Sequence, residues 1–161
     1  LMDELLTRVT IWLALALYAA AQLERRRATA MSRVAGPWLL GMGWAAFLAH
    51  VLLAFGVHYG WSHAVAYADT AVQTEAVTGL RWGGGLYFNY LFGLVWLAEV
   101  WWWNRAAEGN LHRSTWIELP VRSFFLFMIV NGAVVFVDGP QRWLGVAVVV
   151  VLLLAWRPRR P

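Results

Sequence analysis

The sequence predicts an all-α membrane protein: a polytopic bundle of about five transmembrane helices with one short helix on the outer surface. Three observations predict it. Of the 161 residues, 61% are hydrophobic and 14% charged, whereas a soluble domain is about half apolar and about a quarter charged. A soluble core cannot absorb that excess, because a domain of this size still exposes about a third of the surface of its unfolded chain. Five apolar runs follow one another along the chain, and the basic residues gather on alternate sides of those runs. The whole reads as one transmembrane domain over residues 1–161.

The runs are Leu5–Leu23, Pro37–Val57, Leu86–Trp103, Val121–Val137 and Trp143–Trp156. A helix needs about 20 residues to cross hydrocarbon about 30 Å thick. The second run is long enough, the first and third are adequate, and the last two are short. Val146–Leu154 alone would suit a buried strand, but an open strand in lipid leaves its backbone unpaired, so a helix is expected.

The first run is read as a retained helix. Ala19-Ala20-Ala21 resembles a signal-peptide cleavage site, yet the preceding segment is acidic and Arg25-Arg26-Arg27 follows at once. The opening Leu1-Met2 is read as a non-standard start codon translated literally, or a start at Met2. Close helix packing is expected from two small-residue stripes, Gly41, Ala45 and Ala49 on the second helix and Ala16 and Ala20 on the first.

Between the second and third runs, Ser62 as N-cap and Gly79 after the last turn frame a surface helix of about four turns. Ala64, Ala68, Ala71 and Val72 would form its apolar stripe, with Asp69 and Gln73 facing away. Gly83-Gly84-Gly85 makes a flexible or tightly packed approach to the third helix; without a preceding strand it is no nucleotide loop. In the inner loop Asn104–Leu119, which carries His112, Thr115-Trp116-Ile117-Glu118 resembles a capping box opening a short interfacial or membrane-entering helix just before Pro120. Asp138-Gly139-Pro140-Gln141-Arg142 is turn chemistry and predicts a tight hairpin between the last two helices.

Orientation follows from arginine. The chain contains no Lys and 13 Arg. Arg25, Arg26, Arg27 and Arg33, then Arg105, Arg113 and Arg122, then Arg157, Arg159 and Arg160 all fall on one side if the chain crosses five times. The positive-inside rule makes that side cytoplasmic, in a bacterial inner membrane with the N-terminus outside. Most of the 12 Trp fall near the two boundaries, as an aromatic belt requires, while Trp12, Trp44 and Trp96 lie deeper and suit packing. The same arrangement explains the basic balance without nucleic acid.

Composition also excludes chemistry. Without Lys there is no Schiff base or lysine nucleophile. Without Cys there is no disulfide, thiolate nucleophile, Cys-ligated cluster or covalent c-type haem. No Ser or Thr stands in a convincing relation to a base and an acid, so catalytic residues are not expected.

Polar residues within the bilayer are costly and point to function. His50, Asn89, Asn131, Arg8 and Asp138 all project to the outer half, as does His58 at its boundary, whereas Glu99 sits near the inner end. This predicts a polar pocket open to the outer side, roofed by the surface helix. The plain structural alternative makes Asn89 and Asn131 interhelical hydrogen-bonding residues and leaves Arg8 and Asp138 in the headgroups. His58 and His63 offer a loop site for Cu or Zn, although their spacing is not that of a helical ligand pair. A haem b or quinone at His50 is an alternative; His58 lies about 12 Å further along the helix and cannot share its iron. The leading expectation is a non-enzymatic membrane subunit or binding protein, engaging the lipid bilayer, partner membrane subunits or a second copy of itself. A third reading is an oligomeric small-solute or proton-coupled transporter with Glu99 and His50 as proton sites.

Overall fold

The computed structural model describes residues 2–108 and 113–158. His112, Arg159 and Arg160, named above, lie outside the described residues. Six α-helices carry the fold: α1 Met2–Arg27, α2 Ala30–Tyr59, α3 His63–Thr78, α4 Gly85–Glu108, α5 Thr115–Val130 and α6 Gln141–Ala155, with a π-helical turn, Asn131–Val135, after α5. No strand occurs among the described residues. Three helical stretches are long and apolar enough to cross a membrane: Glu4–Arg27, Ala30–Tyr59 and Thr115–Val135. Helix α6 is equally apolar but shorter, and α4 is long but carries Asn89, Glu99 and much Trp and Tyr.

The first two helices form an antiparallel hairpin joined by only Ala28 and Thr29. Ala28 takes a left-handed conformation, φ 55°. Thr29 and Ser32 then form a reciprocal capping box that starts α2. Both helices therefore run well past their apolar runs, and the Arg triplet is itself helical.

The hairpin packs through small residues, but not those expected. Ala16 and Ala45 are exposed, and Gly41 faces Val100 of α4. The contact stripe is instead Gly36 and Gly43 against Ala21 and Ala14. A Cβ on Gly43 would lie 3.3 Å from the Ala14 carbonyl and 3.3 Å from Leu17 Cβ. The reason is geometric. Four-residue steps turn a stripe about 40° each around a helix, while seven-residue steps drift only about 20°, so long paired helices meet at heptad spacing.

Aromatic rings fill the centre. Trp96, fully buried, is ringed by Tyr18, Phe47, Phe92 and Phe125 at centroid distances of 5.1 to 5.7 Å, and Tyr18 stacks on Phe125 at 4.6 Å. Two indole groups are satisfied by backbone: Trp96 donates to the Leu40 carbonyl (3.2 Å) and Trp44 to that of Gly93 (3.0 Å). Each bond ties α2 to α4.

The hairpin turn after the π segment is tight, with Gly139 at φ 74° and Pro140 capping α6. Helix α6 folds back so closely that a Cβ on Gly145 would come 2.1 Å from the Ala133 carbonyl.

Two local expectations change. Helix α5 is capped by Ser114, not Thr115, and continues through Pro120 into its apolar stretch, so no separate short helix forms; Glu118 is free of cap duty and binds Arg25 (3.1 Å) and Arg122 (2.5 Å). Ser62 and Gly79 do bound α3, but its packed face is Ala66, Thr70, Ala71 and Thr74, while Ala64, Ala68 and Val72 are exposed. Triglycine Gly83-Gly84-Gly85 is tightly packed: a Cβ on Gly83 would come 2.4 Å from the Tyr67 carbonyl.

Candidate functional site

At one end of the bundle the helices close on each other through charge. Arg113 and Glu99 form an ion pair in which both side chains are nearly buried. Arg25 lies over the Trp103 ring and Arg122 over that of Trp156. Arg26 donates to the carbonyls of Leu154 (2.7 Å) and Arg157 (2.9 Å), capping the C-terminal end of α6. Buried Gln22 accepts from the Trp156 indole at 3.0 Å. Glu99 is thus part of a structural ionic cluster, far from the other polar candidates.

At the opposite end the helices stand apart and enclose two adjoining cavities. The larger, about 760 Å³, lies between α2, α3, α4 and the α5–π segment. Its walls are chiefly aromatic and aliphatic, with Phe47, Phe55, Phe92 and Phe136 prominent. His50, Asn89 and Asn131 all line it. The smaller, about 480 Å³, lies between α1, α2, the π segment and the α6 turn, and is lined by Arg8, Asp138 and again His50. The structure therefore gathers five sequence-selected residues around two chambers with His50 in the wall of both.

His50 is held from behind. Its Nδ1 lies 2.8 Å from the Thr7 backbone carbonyl. A carbonyl oxygen only accepts, so Nδ1 carries the proton, and in the neutral ring Nε2 bears a lone pair. Asn131 is set differently: its Nδ2 donates to the Phe127 carbonyl at 2.7 Å, one turn back along its own helix. That carbonyl precedes the π turn, where the widened backbone places Gly132, Ala133 and Phe136 against both chambers. Such bulges recur at functional sites, because the shifted register re-aims side chains.

The roof comes from α3. Thr70, Gln73, Thr74 and Thr78 face the larger cavity. Gln73 is exposed, off the packed Ala66–Thr70–Thr74 face, and borders the cavity from there. Each of the three Thr hydroxyls donates to the carbonyl four residues earlier at 2.8 Å, which leaves oxygen lone pairs and methyl groups for the cavity. Asp69 anchors the roof, accepting from Tyr59 (3.0 Å) on α2 and from Gln73 (2.7 Å). Sequence reasoning missed this roof-facing Thr row, whose i, i+4 spacing was the available signal.

His58 and His63 are exposed, His63 lying beside the Tyr87 and Tyr90 rings at 5.8 and 5.9 Å. Among the described residues no three His, Cys, Asp or Glu side chains meet in a manner that would hold a metal ion. No protein-family model, curated protein or solved structure matches this chain.

Proposed function

We propose that this is a five-span membrane protein, N-terminus outside and C-terminus in the cytoplasm, that binds a small lipophilic molecule in its outer half as a non-enzymatic binding protein or subunit. The three long apolar helices support spanning directly. Helices α4 and α6 pack against them along the same bundle, and arginine contacts at one end tie α1 to α5 through Arg25 and Glu118, α1 to α6 through Arg26, and α4 to the start of α5 through Glu99 and Arg113. Five crossings put that end on the cytoplasmic side and the cavities on the other.

One observation carries the ligand reading: a large, mainly apolar cavity whose lining also carries a minority of polar side chains, His50, Asn89, Asn131 and the roof residues of α3 among them. That is the usual build of a small-molecule site, where apolar walls supply affinity and sparse polar groups set orientation. The test is calorimetric titration of the detergent-purified protein with 1-methoxynaphthalene as an apolar aromatic probe. Saturable uptake of one molecule per chain is expected, and Ala54→Trp, which fills the cavity, should abolish it. Purely linear partitioning into protein and micelle alike would defeat the reading.

A redox reading, with haem b or a quinone at His50, is favoured by one feature. A backbone carbonyl on Nδ1 is the arrangement that orients a ligating histidine and leaves Nε2 for a metal. A visible absorption spectrum with metal analysis decides it: a Soret band lost in His50→Ala supports haem, and a colourless, metal-free protein removes it.

A further inference from the structure

The chemistry of His50 says which lipophilic molecules the cavity favours, an inference that rests on the binding reading above. Nδ1 is committed as donor to the Thr7 carbonyl at 2.8 Å. No acidic side chain hydrogen-bonds the ring among the described residues; Asp138, which shares the smaller chamber with Arg8, is fully exposed and lies 3.8 Å from Arg142, so an imidazolium here would lack a bound counter-charge. The ring is therefore neutral and its second nitrogen, Nε2, is an acceptor only. Among the described residues no hydrogen-bond partner faces Nε2, and His50 lines both chambers, so the edge of the ring turned away from Thr7 meets the cavity. The Thr hydroxyls of the roof reinforce the same polarity, since each spends its proton on its own helix and offers lone pairs.

We propose that the outer cavity selects apolar molecules bearing a hydroxyl or other hydrogen-bond donor, with His50 Nε2 accepting from that group while the apolar body lies among the phenylalanines. Molecules whose only polar atom is a carbonyl or ether oxygen find no donor at His50 and take no benefit from it. A hydroxylated ring or a quinol fits; the matching ketone or quinone does not gain the contact.

Three probes of similar shape test this: 1-naphthol, which donates; 1-methoxynaphthalene, which cannot; and 1-acetonaphthone, which only accepts. At neutral pH, calorimetry on the detergent-purified protein should show 1-naphthol binding about 3–10-fold more tightly than the other two, the range of one net hydrogen bond. His50→Phe keeps the ring's bulk and should erase the preference for 1-naphthol, so that the ratio of its affinity to that of 1-methoxynaphthalene falls to about one. Equal binding of all three probes to the wild-type protein would overturn the proposal and leave the cavity reading intact. A preference for 1-acetonaphthone would overturn it too, by showing that Nε2 donates. If His50→Phe does not fold, the comparison of the three probes on the wild-type protein decides alone. Failure of every probe to bind would instead strike the cavity reading itself.

Discussion

His50 and Thr7 meet at the third step of a repeating register between α1 and α2. Seven residues further inward on each helix Gly43 crosses Ala14, and seven further again Gly36 crosses Ala21. The other two steps are contacts of small residues, which let the two helix backbones approach closely. At the third step an imidazole stands where the other two have glycine, and it reaches the α1 carbonyl with its ring nitrogen. The cavities begin there.

Bulk at Gly43 should therefore damage the hairpin. Its Cβ position already has Trp96 Cζ2 at 3.0 Å besides the α1 neighbours. Gly43→Leu is expected to cost about 1–3 kcal/mol or more through overpacking, read as a lower unfolding midpoint in detergent. Ala45→Leu, on an exposed face, should be near neutral. Equal effects at the two sites would argue against the heptad register.

The α6 contact is tighter still. Gly145→Ala places a methyl group on the Ala133 carbonyl and should force α6 away from the π segment. Unfolding should ease by about 1–3 kcal/mol, and probe binding should fall with it, because Ala133 lines both chambers. For stability, Gly132→Ala, whose added methyl group meets nothing within 4 Å, serves as the comparison.

At the charged end, Glu99→Gln leaves Arg113 buried without its counter-ion. Removing one partner of a buried pair costs about 3–5 kcal/mol, while removing both is far milder. A double-mutant cycle with Arg113→Gln should thus show the double variant more stable than Glu99→Gln alone. Strict additivity of the two single effects would mean that the pair contributes no coupling.

Because the chain has no cysteine, topology can be read with single introduced ones. Ala76→Cys and Asp138→Cys should react with a membrane-impermeant maleimide in intact cells. Ala28→Cys and Ser114→Cys should react only after permeabilisation. Labelling of Ala28→Cys and Asp138→Cys from the same side would break the five-span arrangement.

Much of this protein is local, and local features were legible in the chain. Ser62 and Gly79 frame α3 because an N-cap hydroxyl and a left-handed glycine act on their own turn, and Asp138–Arg142 turns because Gly139 and Pro140 leave little else. The helical character of the apolar runs, and the gathering of His50, Asn89 and Asn131 around one cavity, follow from hydrophobicity and a fixed rise per residue. Which side of a helix meets a partner is different in kind. Gly43 rather than Gly41, Thr70 rather than Ala68, and the π turn at Asn131 were chosen by the fit of two surfaces, which no single helix carries in its own sequence. The tautomer of His50 belongs with them: it depends on a carbonyl 43 residues away, and only the folded hairpin brings that oxygen to the ring.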